Sequence, residues 1–101
     1  MKTEPLDPES PTKLIRRIQR SGISLSKHAR IRMRERGFDL SELLFVLSNG
    51  TVTEPPEYDE AFANYKYRVS GPTLDDDLAT AIVVILTQNS LLVLTIFGNG
   101  D

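Results

Sequence analysis

The sequence predicts an α+β fold, in which N-terminal helices pack on one face of an antiparallel sheet of about four strands. Two observations carry this prediction. Up to Gly50, apolar residues recur at helical spacing between capping residues, whereas after Gly50 apolar and polar residues alternate and β-branched residues accumulate. The length of 101 residues and the apolar content of 40% are typical of one small domain.

We expect a flexible lead-in at residues 1–11, followed by a single domain at residues 12–101. The lead-in contains three prolines, Pro5, Pro8 and Pro11. A first helix is predicted to begin at Ser10 or Thr12 and to end at Gly22. Its apolar stripe consists of Leu14, Ile15 and Ile18.

The second helix is predicted to begin near Ser24 or Ser26 and to end at Arg36, where Gly37 supplies a left-handed cap. On a helical wheel at about 100° per residue, its apolar face is narrow. That face consists of Leu25, Ala29 and Met33. Basic residues occupy most of the remaining circumference.

A third helix is predicted over residues 42–48, after an N-cap at Asp39 or Ser41. Four strand-forming segments follow it, separated by residues that favour turns. These segments are Thr51–Thr53, Asn64–Ser70, Leu78–Thr87 and Leu91–Phe97. Between the first two, residues 55–63 are predicted to form an acidic loop.

Charge is distributed unevenly along the chain. Residues 12–36 hold nine basic residues and one acidic residue, a net charge of +8, whereas residues 37–101 hold two basic and ten acidic residues, a net charge of −8. Residues 1–11 add −2, so the whole chain carries −2. Four pairs of cations in the basic segment stand four residues apart, and each destabilises a helix by about 0.2–0.5 kcal/mol. The acidic half of the chain, a bound phosphate or an acidic partner must offset this cost.

Composition excludes several kinds of site. The chain has no cysteine and one histidine, which excludes disulfides, thiol chemistry, Cys-ligated zinc and multi-histidine metal sites. The consecutive Asp75, Asp76 and Asp77 lack calcium-loop spacing and indicate a solvated turn. We therefore expect no metal and no cofactor. No apolar signal segment and no apolar run near ~20 residues occurs, so we expect a cytoplasmic protein that does not bind membranes.

His28, Arg32 and Arg36 stand four residues apart and form one line on or beside the apolar face of the second helix. A charge buried there needs a partner. A histidine takes up and releases protons near neutral pH, so His28 could be a general acid or base, and a structural hydrogen bond is the alternative. Arg32 and Arg36 could clamp a phosphate or form salt bridges to acidic loops.

Two predicted strands offer further phosphate-binding side chains. In the second strand, alternation places two tyrosines on one face and Lys66 and Arg68 on the other. A basic strand face with aromatic neighbours can hold an RNA backbone, although core packing is the favoured interpretation for the tyrosines. Thr95 alternates with Val93 and Phe97 and is predicted to share their face, from which its hydroxyl could donate to a phosphate.

The segment at residues 26–38, SKHARIRMRERGF, resembles the His-Ala-x-x-Arg-Met-x-x-Arg-Gly signature of a family of small prokaryotic domains of unknown function. This family is commonly grouped with RelE-like and BrnT-like toxins. The resemblance continues through an Asn-Gly turn at residues 49–50, a Tyr-x-Tyr-Arg-Val-x-Gly strand at residues 65–71 and a Leu-Thr-Ile-Phe strand at residues 94–97. It covers about residues 24–97.

The resemblance implies a barnase/EndoU/RelE-like fold with helices packed on a curved antiparallel sheet. It also implies a metal-independent endoribonuclease that leaves a 2′,3′-cyclic phosphate and is the toxin of a toxin–antitoxin pair, with RNA and an antitoxin protein as partners. The residues that match the family's polar positions are His28, Arg32, Arg36, Arg68 and Thr95. We expect catalysis by His28, Arg32 and Arg68. We expect substrate binding by Arg36, Thr95 and Lys66.

Two other interpretations of the basic segment stay open. A non-catalytic interaction domain could bind RNA or an acidic protein through residues 12–36; its RNA affinity would fall steeply with salt and the RNA would stay uncut. Alternatively, Arg32 and Arg36 only tie the second helix to the acidic loops. The basic helix around residues 12–20 is extra to the family pattern and could extend an RNA surface or contact an antitoxin.

Overall fold

The structure is a computed structural model that describes residues 10–98. Its elements, in chain order, are α1 (Pro11–Ser21), β1 (Ile23–Leu25), α2 (Lys27–Arg36), α3 (Leu40–Asn49), β2 (Thr51–Val52), β3 (Glu57–Asp59), β4 (Asn64–Pro72), β5 (Leu78–Thr87) and β6 (Ser90–Gly98). The α+β class and the three helices are confirmed. Of the predicted lead-in, Pro11 belongs to α1, and residues 1–9 lie outside the described range.

Side-chain and glycine caps set the limits of α2 and α3. The hydroxyl of Ser26 accepts from the Ala29 N–H at 2.9 Å, and a carboxylate oxygen of Asp39 accepts from the Glu42 N–H at 2.9 Å. Gly37, with φ of 73°, adopts the left-handed conformation that ends α2. These capping residues are among those that the sequence predicts.

The six strands of residues 10–98 form one mixed sheet in the order β1-β6-β5-β4-β2, and β3 pairs with a further part of β4. The expectation of about four antiparallel strands is therefore corrected in two ways. β1 lies parallel to β6, and β3 forms within the segment predicted to be an acidic loop. Both added strands have three residues, which is too short for an alternating pattern to identify them.

All three helices bury their apolar side chains against the same face of the sheet. The helical core residues are Leu14, Ile15, Ile18, Ala29, Met33, Leu43, Val46 and Leu47. The core residues of the sheet are Tyr67, Val69, Ala79, Ala81, Val83, Leu91, Val93 and Ile96. Within residues 10–98, no helix covers the opposite face, which we call the open face. Cross-strand partners share a face, and the open face is formed by Lys66, Arg68, Ser70, Thr80, Ile82, Val84, Leu92, Thr95 and Phe97.

A β-bulge at Leu94 changes which face Thr95 occupies. Ile82 pairs with Thr95, whereas the residue after Ile82 pairs with Val93, so Leu94 has no partner in β5. The extra residue shifts the alternation of β6, because side chains point to opposite faces with a period of two. Thr95 therefore shares the open face with Phe97, as predicted, but the prediction that it shares the face of Val93 is wrong.

Ser26 joins the start of α2 to this bulge. Its backbone N–H donates to the carbonyl of Val93 at 3.0 Å, and its hydroxyl donates to the carbonyl of Leu94 at 2.7 Å while capping α2. The Ser26 hydroxyl therefore forms hydrogen bonds with two backbone groups that would otherwise lack a partner. These are the Ala29 N–H in the first turn of α2 and the carbonyl of Leu94, the residue without a β5 partner. This contact sets the position of α2 relative to β6.

We expect Ser26→Ala to lower the free energy of unfolding by about 1–2 kcal/mol, because loss of an N-cap costs ~1 kcal/mol and the Leu94 carbonyl loses its donor. Urea unfolding followed by circular dichroism measures the effect. Ser24→Ala is the matched control, since Ser24 is an exposed serine of β1 whose hydroxyl bonds to no residue in the 10–98 range. Equal unfolding midpoints for the two variants would contradict the anchoring role of Ser26.

Candidate functional site

Helix α2 presents most of its basic side chains to solvent. It lies against β6 along a narrow stripe, in which only Ala29 and Met33 are buried. The exposed basic residues of α2 are Lys27, His28, Arg30, Arg34 and Arg36, whereas Arg32 is half-buried. The structure thus places Arg32 beside the buried face, as predicted. His28 and Arg36 are exposed, because the contact between α2 and the sheet is too narrow to cover their side chains.

The acidic residues of the described range do not neutralise the start of α2. Within residues 10–98, neither His28 nor Arg32 forms a side-chain hydrogen bond or an ion pair. The first turn of α2 also lacks an acidic residue. It contains the cationic Lys27, whose charge is disfavoured by the positive end of the helix dipole. Within the described range, no acidic side chain therefore neutralises the start of α2.

Arg36 lies at the opposite end of α2 from His28. A helix rises 1.5 Å per residue, so the two residues are about 12 Å apart along the axis. Arg36 and Glu42 line an open cleft of about 740 Å³ together with the loop at residues 73–78. The three aspartates of this loop, residues 75–77, are exposed in a turn, as predicted. Arg36 therefore faces an acidic loop and not the open face.

Arg68 and Thr95 lie in one row across the open face. Arg68 of β4 pairs with Ile82 of β5, which pairs with Thr95 of β6. Adjacent strands are ~4.8 Å apart, so the backbones of Arg68 and Thr95 are separated by about 10 Å. Lys66 lies in the next row of the same face, where its cross-strand neighbours are Val84 and Leu92.

Both cations of β4 have acidic neighbours on adjacent segments of the chain. Nε of Arg68 lies 3.8 Å from Oε1 of Glu54, and Nζ of Lys66 lies 3.4 Å from Oδ2 of Asp59. The side chains of the Arg68–Glu54 pair are 45% and 65% exposed. Such an exposed pair contributes only about 0.2–1 kcal/mol, so an anionic ligand can displace Glu54 at little cost.

The two hydrogen bonds that Ser26 donates to β6, which we call the Ser26 anchor, fix where α2 begins relative to the row of Arg68 and Thr95. Thr95 follows Leu94, whose carbonyl accepts from Ser26, and His28 is the second residue of the helix that Ser26 caps. The structure therefore brings the end of α2 that carries His28 next to the strand that carries Thr95. Thr95 and Arg68 point to the open face, however, whereas α2 packs on the covered face, and Arg68 stands two strands away from the junction. Arg36 lies at the far end of α2.

The arrangement provides cations and one titratable imidazole. Arginine side chains can bind a phosphate with paired N–H donors, and a histidine can transfer protons at neutral pH. Among residues 10–98, no group of three or more His, Asp or Glu side chains is placed to hold a metal ion. In the same range, no helix has the length and apolar character needed to cross a membrane.

Comparison with known proteins identifies one family. Residues 25–98 match the model of a family described as a domain of unknown function, DUF4258, and this range is more than two thirds of the chain. The match includes α2, α3 and five of the six strands in full, whereas α1 lies outside it. No curated protein and no solved structure matches the chain.

We expect Arg32→Gln to change the free energy of unfolding by less than about 0.5 kcal/mol, because Arg32 has no ion pair or hydrogen bond with the described residues. Arg16→Gln is the matched contrast. Nη2 of Arg16 donates to the carbonyl of Gly50 at 2.8 Å, and its loss should cost about 1–3 kcal/mol. Thermal and urea unfolding measure both. A large loss in Arg32→Gln would instead support the interpretation that Arg32 only ties α2 to acidic loops.

Proposed function

We propose that this chain, which belongs to the DUF4258 family, is a metal-independent endoribonuclease and the toxin of a toxin–antitoxin pair. The observation that carries the proposal is the pair His28 and Arg32. Neither has a partner within residues 10–98, and the Ser26 anchor holds their helix beside the strand of Thr95. An RNA substrate implies action in the cytoplasm, with an antitoxin protein as the second partner.

The reaction transfers the phosphoryl group within the RNA. His28 removes the proton of a 2′-hydroxyl, the 2′-oxygen attacks the adjacent phosphorus, and the bond from phosphorus to the 5′-oxygen breaks. The products are a 2′,3′-cyclic phosphate and a 5′-hydroxyl, which takes up the proton. Arg32 stabilises the negative charge that develops around the pentacoordinate phosphorus. The sequence also predicts a catalytic role for Arg68, but this residue lies on the open face, opposite the face on which α2 packs, so in this proposal it holds a neighbouring phosphate of the RNA. Thr95 and Lys66 hold further phosphates of the substrate on the open face. Arg36, which the sequence also predicts to bind substrate, lines the cleft of the acidic loop and stands outside this site.

We also propose that the fold is RelE/barnase-like. Two features support this: the helices are confined to one face of the sheet, and the other face carries the row of Arg68 and Thr95. An open sheet face offers the width that an extended RNA strand needs, whereas a face covered by helices does not.

We expect purified protein to cleave single-stranded RNA in EDTA and to leave fragments with 2′,3′-cyclic phosphate ends. His28→Ala should lower the cleavage rate by about 10²–10⁴, the usual effect of removing a general acid or base. Arg32→Ala should lower it by about 10²–10³, because a charge-stabilising donor is lost. Gel analysis of end-labelled RNA measures the rates.

Arg34→Ala is the control, since Arg34 is an exposed arginine of the same helix on its opposite flank. Expression of the wild type in bacteria should arrest growth, and His28→Ala should relieve the arrest. RNA that stays intact in EDTA with the wild type, or equal rates for His28→Ala and Arg34→Ala, would contradict catalysis.

A second candidate function is non-catalytic RNA binding. It is favoured by one observation: no carboxylate among residues 10–98 bonds to His28 and orients its ring, as the base of a catalytic pair usually requires. In this function the same cations contact phosphates, but no bond breaks. Bound, uncut RNA with a steep salt dependence is the result that supports it.

In both functions, the carboxylate of Glu54 competes with a phosphate for Arg68. We therefore expect Glu54→Gln to raise RNA affinity about two- to five-fold, the equivalent of an exposed ion pair. Glu60→Gln is the control, because it removes the same charge from an exposed residue without an ion pair in the described range. Fluorescence anisotropy with labelled RNA measures both. Equal affinities would show that Arg68 does not bind the RNA.

A further inference from the structure

We propose that the exposed face of α1 binds backbone phosphates of the RNA at a second site, outside the cleavage centre. The site is a stripe of three cations, Lys13, Arg17 and Arg20, which we call the α1 stripe. The inference rests on RNA as the ligand of the proposed function. It concerns a helix that lies outside residues 25–98, the range that matches the family.

Contacts on the other sides of α1 hold this helix in a fixed orientation. Its apolar residues Leu14, Ile15 and Ile18 are 7%, 1% and 0% exposed. Three hydrogen bonds join it to the end of α3 and to β2: Arg16 Nη2 to the Gly50 carbonyl at 2.8 Å, Gln19 Nε2 to the Ser48 hydroxyl at 3.0 Å, and the Val52 N–H to the Thr12 hydroxyl at 2.9 Å. The α1 stripe is therefore presented by a docked helix and not by a mobile arm.

The three cations form one straight surface. Positions 13, 17 and 20 differ by four and three residues, so at about 100° per residue the side chains leave α1 within an arc of about 60°. At 1.5 Å per residue the stripe is about 10 Å long. The α1 stripe is therefore long enough to contact consecutive phosphates of one RNA strand.

Electrostatics of the helix favour a bound anion. Lys13 and Arg20 form no hydrogen bond or ion pair with any residue between 10 and 98. No acidic residue stands in the first turn of α1, where the helix dipole disfavours the charge of Lys13. A phosphate backbone along the stripe supplies a counter-charge for Lys13 and Arg20.

The surface chemistry favours RNA over a protein partner. The exposed residues of α1 are Lys13, Arg17, Arg20 and Ser21, and none of them is apolar. The centre of a protein interface is apolar or aromatic and depleted of lysine, whereas phosphate contacts require only cations and polar donors. The link from Ser21 to Lys27 spans at most about 20 Å, so one RNA strand of several nucleotides can reach from α1 to α2.

The test measures binding of a single-stranded, 2′-O-methyl RNA twelve-mer as a function of salt. This RNA lacks the 2′-hydroxyl nucleophile, so the proposed reaction cannot cut it. We compare the full chain with Lys13→Gln/Arg20→Gln and with the control Arg30→Gln/Arg34→Gln, which removes the same charge from the exposed flank of α2. Each lost phosphate contact should reduce the slope of log K against log salt by about 0.7. The stripe variant should therefore lose about 1.4, and the control should keep the wild-type slope.

Three results would overturn the inference. The first is an unchanged salt slope in a stripe variant that melts like the wild type, and the second is an equal loss of slope in the control variant. The third is displacement of the RNA by polyglutamate of the same charge, with the same dependence on Lys13 and Arg20. The last result would assign the stripe to an acidic protein. Cleavage of unmodified RNA is measured separately. If no RNA is cut but the slopes differ as expected, the ribonuclease proposal fails and the α1 stripe stands.

Discussion

Burial of three helices against a single face of the sheet is the constraint on which the rest of this structure depends. Burial of each large aliphatic side chain contributes roughly 1.5–3 kcal/mol, and every one that the helices bury lies on that face. Ala79 and Ala81, both fully buried in β5, keep the centre of the face low enough for close helix packing. Because all three described helices pack on one face of the sheet, the row of Arg68 and Thr95 lies on a face that none of them covers.

Ser26 brings the candidate site together within this architecture. Its hydroxyl caps α2 and binds the carbonyl at the β6 bulge, so the helix that carries His28 and Arg32 starts beside Thr95. The bulge itself turns Thr95 away from the core. Together with the burial of Ala29 and Met33, these two features fix the position of α2 relative to β6.

The cations of this protein fall into two groups with different environments. Lys66 and Arg68 on β4 have acidic neighbours, Asp59 and Glu54, whereas His28 and Arg32 on α2 have none within residues 10–98. The acidic residues between positions 37 and 98 therefore do not neutralise the start of α2. In the proposed function, an RNA strand presents negative charges in a line to the start of α2 and to the α1 stripe.

The sequence by itself determined the helices, their caps, the two faces of β4 and the uneven distribution of charge, because capping and periodicity are local properties. The strand β3 was missed, although Glu57-Tyr58-Asp59 shows the same polar–aromatic–polar pattern as Asn64-Tyr65-Lys66, its partner in the hairpin. Only the tertiary structure decided the face of Thr95, the parallel pairing of β1 and the neighbours of Arg68. Each of these depends on a bulge or on pairing between distant segments, and a local pattern carries no information about which residues meet across a sheet.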